Sequence, residues 1–182
     1  YVAVVSLILL PVSGTAVDRF GPRPVLLVGL LVEATGVALL TQVDSVPSAF
    51  LVATVVSLGG SFVWGPQSAL LGRLAGPEHR QRVFGIQFML LNLGIGIGGI
   101  IAAVVVDVSE PATFTALYLG DAATYLLYVA VLLTMRGVAV GPEPVGEGAD
   151  GEGGYREVIK DRLLLRIAVL GLVLLTCGYG SL

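Results

Sequence analysis

Val25-Leu26-Leu27-Val28-Gly29-Leu30-Leu31-Val32-Glu33-Ala34-Thr35-Gly36-Val37-Ala38-Leu39-Leu40-Thr41-Gln42 carries one charge, Glu33, between a basic segment holding Arg19 and Arg23 and the polar turn Asp44-Ser45. Crossing about 30 Å of hydrocarbon at roughly 1.5 Å per helical residue takes about 20 residues, so this run has the length and apolarity of a membrane span. Comparable runs recur over 1–17, 48–71, 83–106, 112–135 and 163–182. In hydrocarbon only helices and closed barrels satisfy their own backbone groups, and these runs are too long and too evenly apolar for alternating barrel strands. The expected fold class is an all-α membrane protein, a polytopic transmembrane helix bundle.

The intervals between runs sort alternately onto two sides. Arg19 and Arg23 fall in the first, Arg73, Arg80 and Arg82 in the third, and Arg136, Arg156, Lys160, Arg162 and Arg166 at or between the last two runs. The second interval, 42–47, and the fourth, 107–111, hold no base. If each of the 10 bases fell on either side with equal chance, such one-sidedness would arise roughly once in five hundred sequences. By the positive-inside rule the basic side is cytoplasmic, which puts residue 1 near the outer face of the cell membrane.

Composition agrees with a bilayer as partner. Of 182 residues 55% are apolar and 13% charged, with a mean hydropathy of +0.93, whereas a soluble domain carries about a quarter charged residues. The net charge of −3 offers no concentrated basic surface for nucleic acid. A single cysteine, Cys177, leaves no internal disulfide or CxxC site, and the single histidine, His79, has no second histidine with which to build a metal cluster. No Ser-His-Asp or Cys-His set stands out, so neither metal, cofactor nor enzymatic activity is expected. Tyr1 begins and Leu182 ends inside apolar runs, as cut ends would. Residues 137–154, rich in Gly, Pro and acids, read as a flexible linker, and the mixed-charge stretch 155–162 as a surface helix turn before the last span.

The segment Gly14-Thr15-Ala16-Val17-Asp18-Arg19-Phe20-Gly21-Pro22-Arg23 follows the first run. Gly14 permits close helix approach, and Gly21 a tight reversal at positive φ. It resembles the loop between the second and third helices of the major facilitator superfamily, with Gly14, Asp18, Arg19, Gly21 and Arg23 in register and Pro22 in place of a usual base. The run from Gly65 to Gly85 is similar to the end of the family's fourth helix, the following inner loop with Arg73, Arg80 and Arg82, and the start of its fifth. The resemblance implies that 1–135 are the second to sixth helices of an N-terminal bundle lacking the first, that 136–161 is the cytoplasmic linker between halves, and that 162–182 starts the C-terminal bundle. It implies a secondary transporter working by alternating access on a small molecule, drug or metabolite efflux driven by protons being the favoured class, with Asp18, Arg19 and Arg23 in a gate-forming inner loop. The other reading is a non-transporting receptor or assembly protein on the same scaffold.

Several polar or small residues lie inside the runs. Ser57, Ser61 and Gly65 recur at four-residue spacing near Trp64 and Gln67, a face that suits close packing or a substrate cavity. Gly94, Gly96 and Gly99 match GxGxxG, but they lack the preceding strand a dinucleotide fold needs; Gly94 and Gly98, one turn apart, suit helix packing instead. Glu33 and Asp121 are acids within spans, where a charge costs roughly 2.5 to 3.5 kcal/mol, so each is either a neutral structural group or a proton-coupling candidate.

Overall fold

Gly21 and Gly76 have positive φ, 83° and 64°, and proline follows each, Pro22 and Pro77. Glycine enters this region without steric penalty, and proline's fixed φ and missing N–H suit the first turn of the next helix. Each pair therefore reverses the chain in one or two residues.

The computed structural model describes residues 2–135. They form α1 (Val2–Phe20), α2 (Pro22–Leu39) with a single 3-10 turn at Leu40–Gln42, α3 (Val46–Ser61), α4 (Trp64–Val105) and α5 (Pro111–Thr134), with no strand among the described residues. Within α4 the non-helical Gly76 separates two helical segments, 64–75 and 77–105. Three helical stretches, Pro22–Gln42, Val46–Val105 and Pro111–Thr134, are long and apolar enough to cross a membrane, and at 60 residues the second is long enough to do so twice. The linker expected over 136–161 and the helix expected over 162–182 lie outside the described residues.

Two boundaries differ from those expected. The run 48–71 is one span in sequence but two helical pieces in the structure, α3 ending at Ser61 and α4 starting at Trp64. Pro66 has no N–H to offer the Phe62 carbonyl four residues back, and the chain tightens ahead of it, with Phe62 N–H donating to Gly59 O (2.9 Å) and Val63 N–H to Gly60 O (3.1 Å). The interval 72–82, expected as an inner loop, is helical on both sides of Gly76; Arg73 precedes the reversal, and Arg80 and Arg82 follow it on helix. One glycine–proline pair makes a longer loop unnecessary.

At the opposite end the turns are closed by short polar side chains. Ser45 caps α3 in a capping box with Ser48, and Pro47 occupies its first turn. Asp107 Oδ1 accepts from Ser109 N–H at 2.8 Å, and Thr113 Oγ1 donates to Glu110 O at 2.7 Å, at the start of α5.

Helix α2 is central and touches each of the other four helices. Its Leu26 and Leu30, fully buried, pack with Val63, Leu70, Val129 and Leu132. Glycines set its approach to α3. A Cβ at Gly59 would lie 2.6 Å from the Glu33 amide nitrogen, and one at Gly36 would lie 3.0 Å from that of Val56. At Gly29 a Cβ would overlap the Phe62 carbonyl freed by Pro66. Without a hydrophobic force between helices in lipid, this contact depends on backbones coming close, which small residues allow. Segment 77–105 is the opposite case: Phe88, Ile95 and Val104 are exposed by 68%, 67% and 81%.

Candidate functional site

Four recesses among the described residues bring polar side chains together, one at the basic end and three within the bundle. At the basic end, a recess of about 470 Å³ is lined by Asp18 from α1 and Ser68, Gly72, Arg73 and Arg80 from α4. The two basic intervals thus meet in space across two reversals of the chain. Arg80 Nη2 donates a long 3.4 Å bond to Gly72 O, across the Gly76 bend. Arg19 lies over the ring of Phe20, 5.3 Å from its centroid. Arg23, at the start of α2, donates from Nη2 to Leu132 O at 2.9 Å. Leu132 is in the last turn of α5, where carbonyls lack intrahelical partners and carry the negative end of the helix dipole, so the guanidinium both caps that helix and ties it to α2. Gly14 is half-buried, Gly21 is buried at its positive φ, and Arg82 is exposed.

The second place is a recess of about 330 Å³ between α1, α2 and α3, lined by Glu33, Ser57, Ser61 and Trp64 among others. Glu33 is only 8% exposed, and its Oε2 is buried with no hydrogen-bond partner among the described residues. Both serines are buried, at 4% and 8% exposure, and each donates its hydroxyl proton back along the helix, Ser57 Oγ to Ala53 O (2.6 Å) and Ser61 Oγ to Ser57 O (2.7 Å). Trp64 also forms a wall of the third place, a recess of about 540 Å³ with Gln67, Gln87, Tyr125 and Tyr128. Asp121 lines the fourth, a groove of about 570 Å³ between α4 and α5 that includes Gly98, Tyr118 and Thr124.

The sequence candidates therefore divide. Asp18 joins Arg73 and Arg80, Glu33 joins Ser57, Ser61 and Trp64, and Gln67 reaches the Trp64 wall from the other side. Asp121 is exposed and lines neither serine-bearing recess. A methyl at Gly94 or Gly98 would meet nothing within 4 Å, so the packing expected of them finds no partner among the described residues. Tyr125, Tyr128 and Gln87 were not singled out by the sequence, whose one signal is that Tyr125 stands four residues after Asp121 on the same face of α5. Gly29 and Gly36 were equally unmarked, as isolated glycines in an apolar run.

The profile of the Major Facilitator Superfamily matches residues 1–182, the whole chain. This chain belongs to the Major Facilitator Superfamily. It is similar to proteins named "Multidrug resistance protein MdtH" from Yersinia enterocolitica, Yersinia pestis and Yersinia pseudotuberculosis, each 32% identical over 91 residues, 50% of this chain and 23% of the relative. The matched part of this facilitator chain thus spans under a quarter of its curated relatives. No solved structure matches it. Membership makes the apolar helices those of a multi-pass membrane protein.

Proposed function

We propose that this chain is part of a secondary active transporter that moves a small molecule across the cell membrane by alternating access, as a drug or metabolite exporter driven by protons. The observation that carries this reading is the superfamily match over the whole chain, and the relatives named "Multidrug resistance protein MdtH" support the choice of drugs as the substrate class. Substrate binds near the midplane between two helical bundles, as repeat-built transporters require. In this reading the described helices are the second to sixth of the N-terminal bundle, residue 1 is near the outer face and 136–161 is the cytoplasmic linker. Asp18, Arg19 and Arg23 with Arg73, Arg80 and Arg82 form the inner gate, which closes against the other bundle when the site faces outward. Ser57, Ser61, Trp64 and Gln67 line the substrate path, and Glu33 and Asp121 exchange protons.

Proton-dependent flux of a fluorescent dye, measured in vesicles holding the complete protein, tests the reading. Transport collapses when the gradient is dissipated and falls by about tenfold in Asp121→Asn if that carboxyl couples. Dye binding without net flux would instead make the protein a receptor on the same scaffold. Undiminished proton-driven flux by Asp121→Asn removes that residue from the coupling path and leaves transport standing.

A further inference from the structure

Between α1 and α2, on either side of the Gly21 reversal, lies a crevice of about 400 Å³ with a wholly apolar lining: Ala16 and Phe20 from α1, Pro24, Val25 and Val28 from α2, and Phe62 from the break between α3 and α4. Ala16 with Phe20, and Pro24 with Val28, stand four residues apart, so each helix gives the crevice one face over about one turn. On both helices that turn is close to the reversal at the basic end, where a membrane-spanning helix passes from hydrocarbon to headgroups. Phe20 and Val28 are 58% and 59% exposed, so the walls are open to what surrounds the helices, which at this depth is lipid. Arg19 stands at the mouth. Its guanidinium lies over the ring of Phe20, and its donors have no hydrogen-bond acceptor among the described residues. Asp18 faces the recess with Arg73 and Arg80, and Arg23 is committed to Leu132 O, so no carboxylate lines the crevice. An apolar slot that ends at a cation complements a hydrocarbon chain joined to an anion. An ammonium-bearing headgroup finds no acceptor there and sets its own charge against Arg19.

We propose that the crevice between α1 and α2 holds an acyl chain of an anionic phospholipid such as phosphatidylglycerol, with the lipid phosphate on the Arg19 guanidinium. The planar fork of N–H donors matches phosphate oxygens, and the ring of Phe20 serves twice, as a wall for the chain and as the platform beneath the cation. The proposal goes beyond the transporter reading and does not rest on it, since it needs only that these helices cross a bilayer.

The test uses the complete protein in phosphatidylcholine nanodiscs doped with one of two photoactivatable lipids, a phosphatidylglycerol or a phosphatidylcholine carrying the same diazirine near the head of one acyl chain. Adducts on the segment 14–30 are measured by mass spectrometry. The unaltered protein is labelled by the phosphatidylglycerol probe about fivefold more than by its counterpart, the factor that one base contributes near anionic lipid. Arg19→Gln loses that preference, and Val28→Trp, which fills the crevice from an exposed position, loses labelling by both probes. Arg82→Gln, which removes an exposed base from the same end, leaves the preference intact. Equal labelling by the two probes in the unaltered protein makes the occupant unselective boundary lipid and overturns the proposal, and that comparison needs no variant to fold. A preference that survives Arg19→Gln, or that falls as far in Arg82→Gln, assigns the effect to another base or to the surface charge as a whole and overturns it as well. Undiminished labelling of Val28→Trp removes the chain from the crevice and does the same.

Discussion

Glycines that look alike in sequence do opposite work. At Gly59 a Cβ would stand 2.6 Å from the Glu33 amide nitrogen and 2.7 Å from its Cα, backbone atoms that cannot move aside. Gly59→Ala should therefore lower stability by about 1–3 kcal/mol, the range for overpacking a tight contact, and lower the thermal midpoint of the detergent-solubilised protein. Gly94→Ala meets nothing within 4 Å and gains helix propensity of up to about 1 kcal/mol, so its midpoint should hold or rise. A fall at Gly94 would reveal a packing partner beyond residues 2–135. Both glycines sit in uncharged apolar runs, and their sequence surroundings do not distinguish them, because which face of a helix meets a neighbour is a property of the bundle. Gly21 is different. Its place between a basic boundary and Pro22 marks a reversal in the sequence, and its φ of 83° is that of such a turn.

Among the elements, α2 and α5 are joined by a contact no local pattern announces. Arg23 opens α2 and was legible only as a member of an inner-loop motif, yet its guanidinium reaches the Leu132 carbonyl 109 positions away. Arg23→Met, which keeps an apolar stem of similar reach, should cost about 1–2 kcal/mol by leaving the last turn of α5 uncapped. Hydrogen exchange is expected to rise at the end of α5 while α3 stays protected, and unchanged exchange there would show that the bond contributes nothing. The broken passage from α3 to α4 follows similar logic. The sequence reads 48–71 as one run, but the helix breaks at Phe62 and Val63, where the carbonyl that Pro66 strands is accommodated against Gly29 of another helix. The boundaries of α1, α2 and α5 were readable to within a few residues, since each ends at a Pro, Gly, Ser or acid cluster.

For the whole molecule, the alternation of bases assigns a side to every turn, and that assignment is open to direct measurement. In the complete protein with Cys177 replaced by Ser, cysteines at Val43 and Val108 should react with a membrane-impermeant thiol reagent added outside intact cells, and a cysteine at exposed Glu78 should react only after permeabilisation. Labelling of Glu78→Cys from outside would invert the topology. The sequence alone determined that the chain is an all-helical membrane protein with its described bases at one end, because hydrocarbon tolerates few charges and demands helices whatever the helices then touch. It also carried the family, through the motif residues 14–23. Only the tertiary structure decided that Asp18 lies with Arg73 and Arg80, that Glu33 rather than Asp121 shares a recess with Ser57 and Ser61, and that α2 stands at the centre. In lipid every helix is apolar all round, so hydrophobic periodicity, which in water points each helix toward its core, carries no such direction here, and the choice of neighbours falls to a few close backbone approaches that are visible only once the helices are packed.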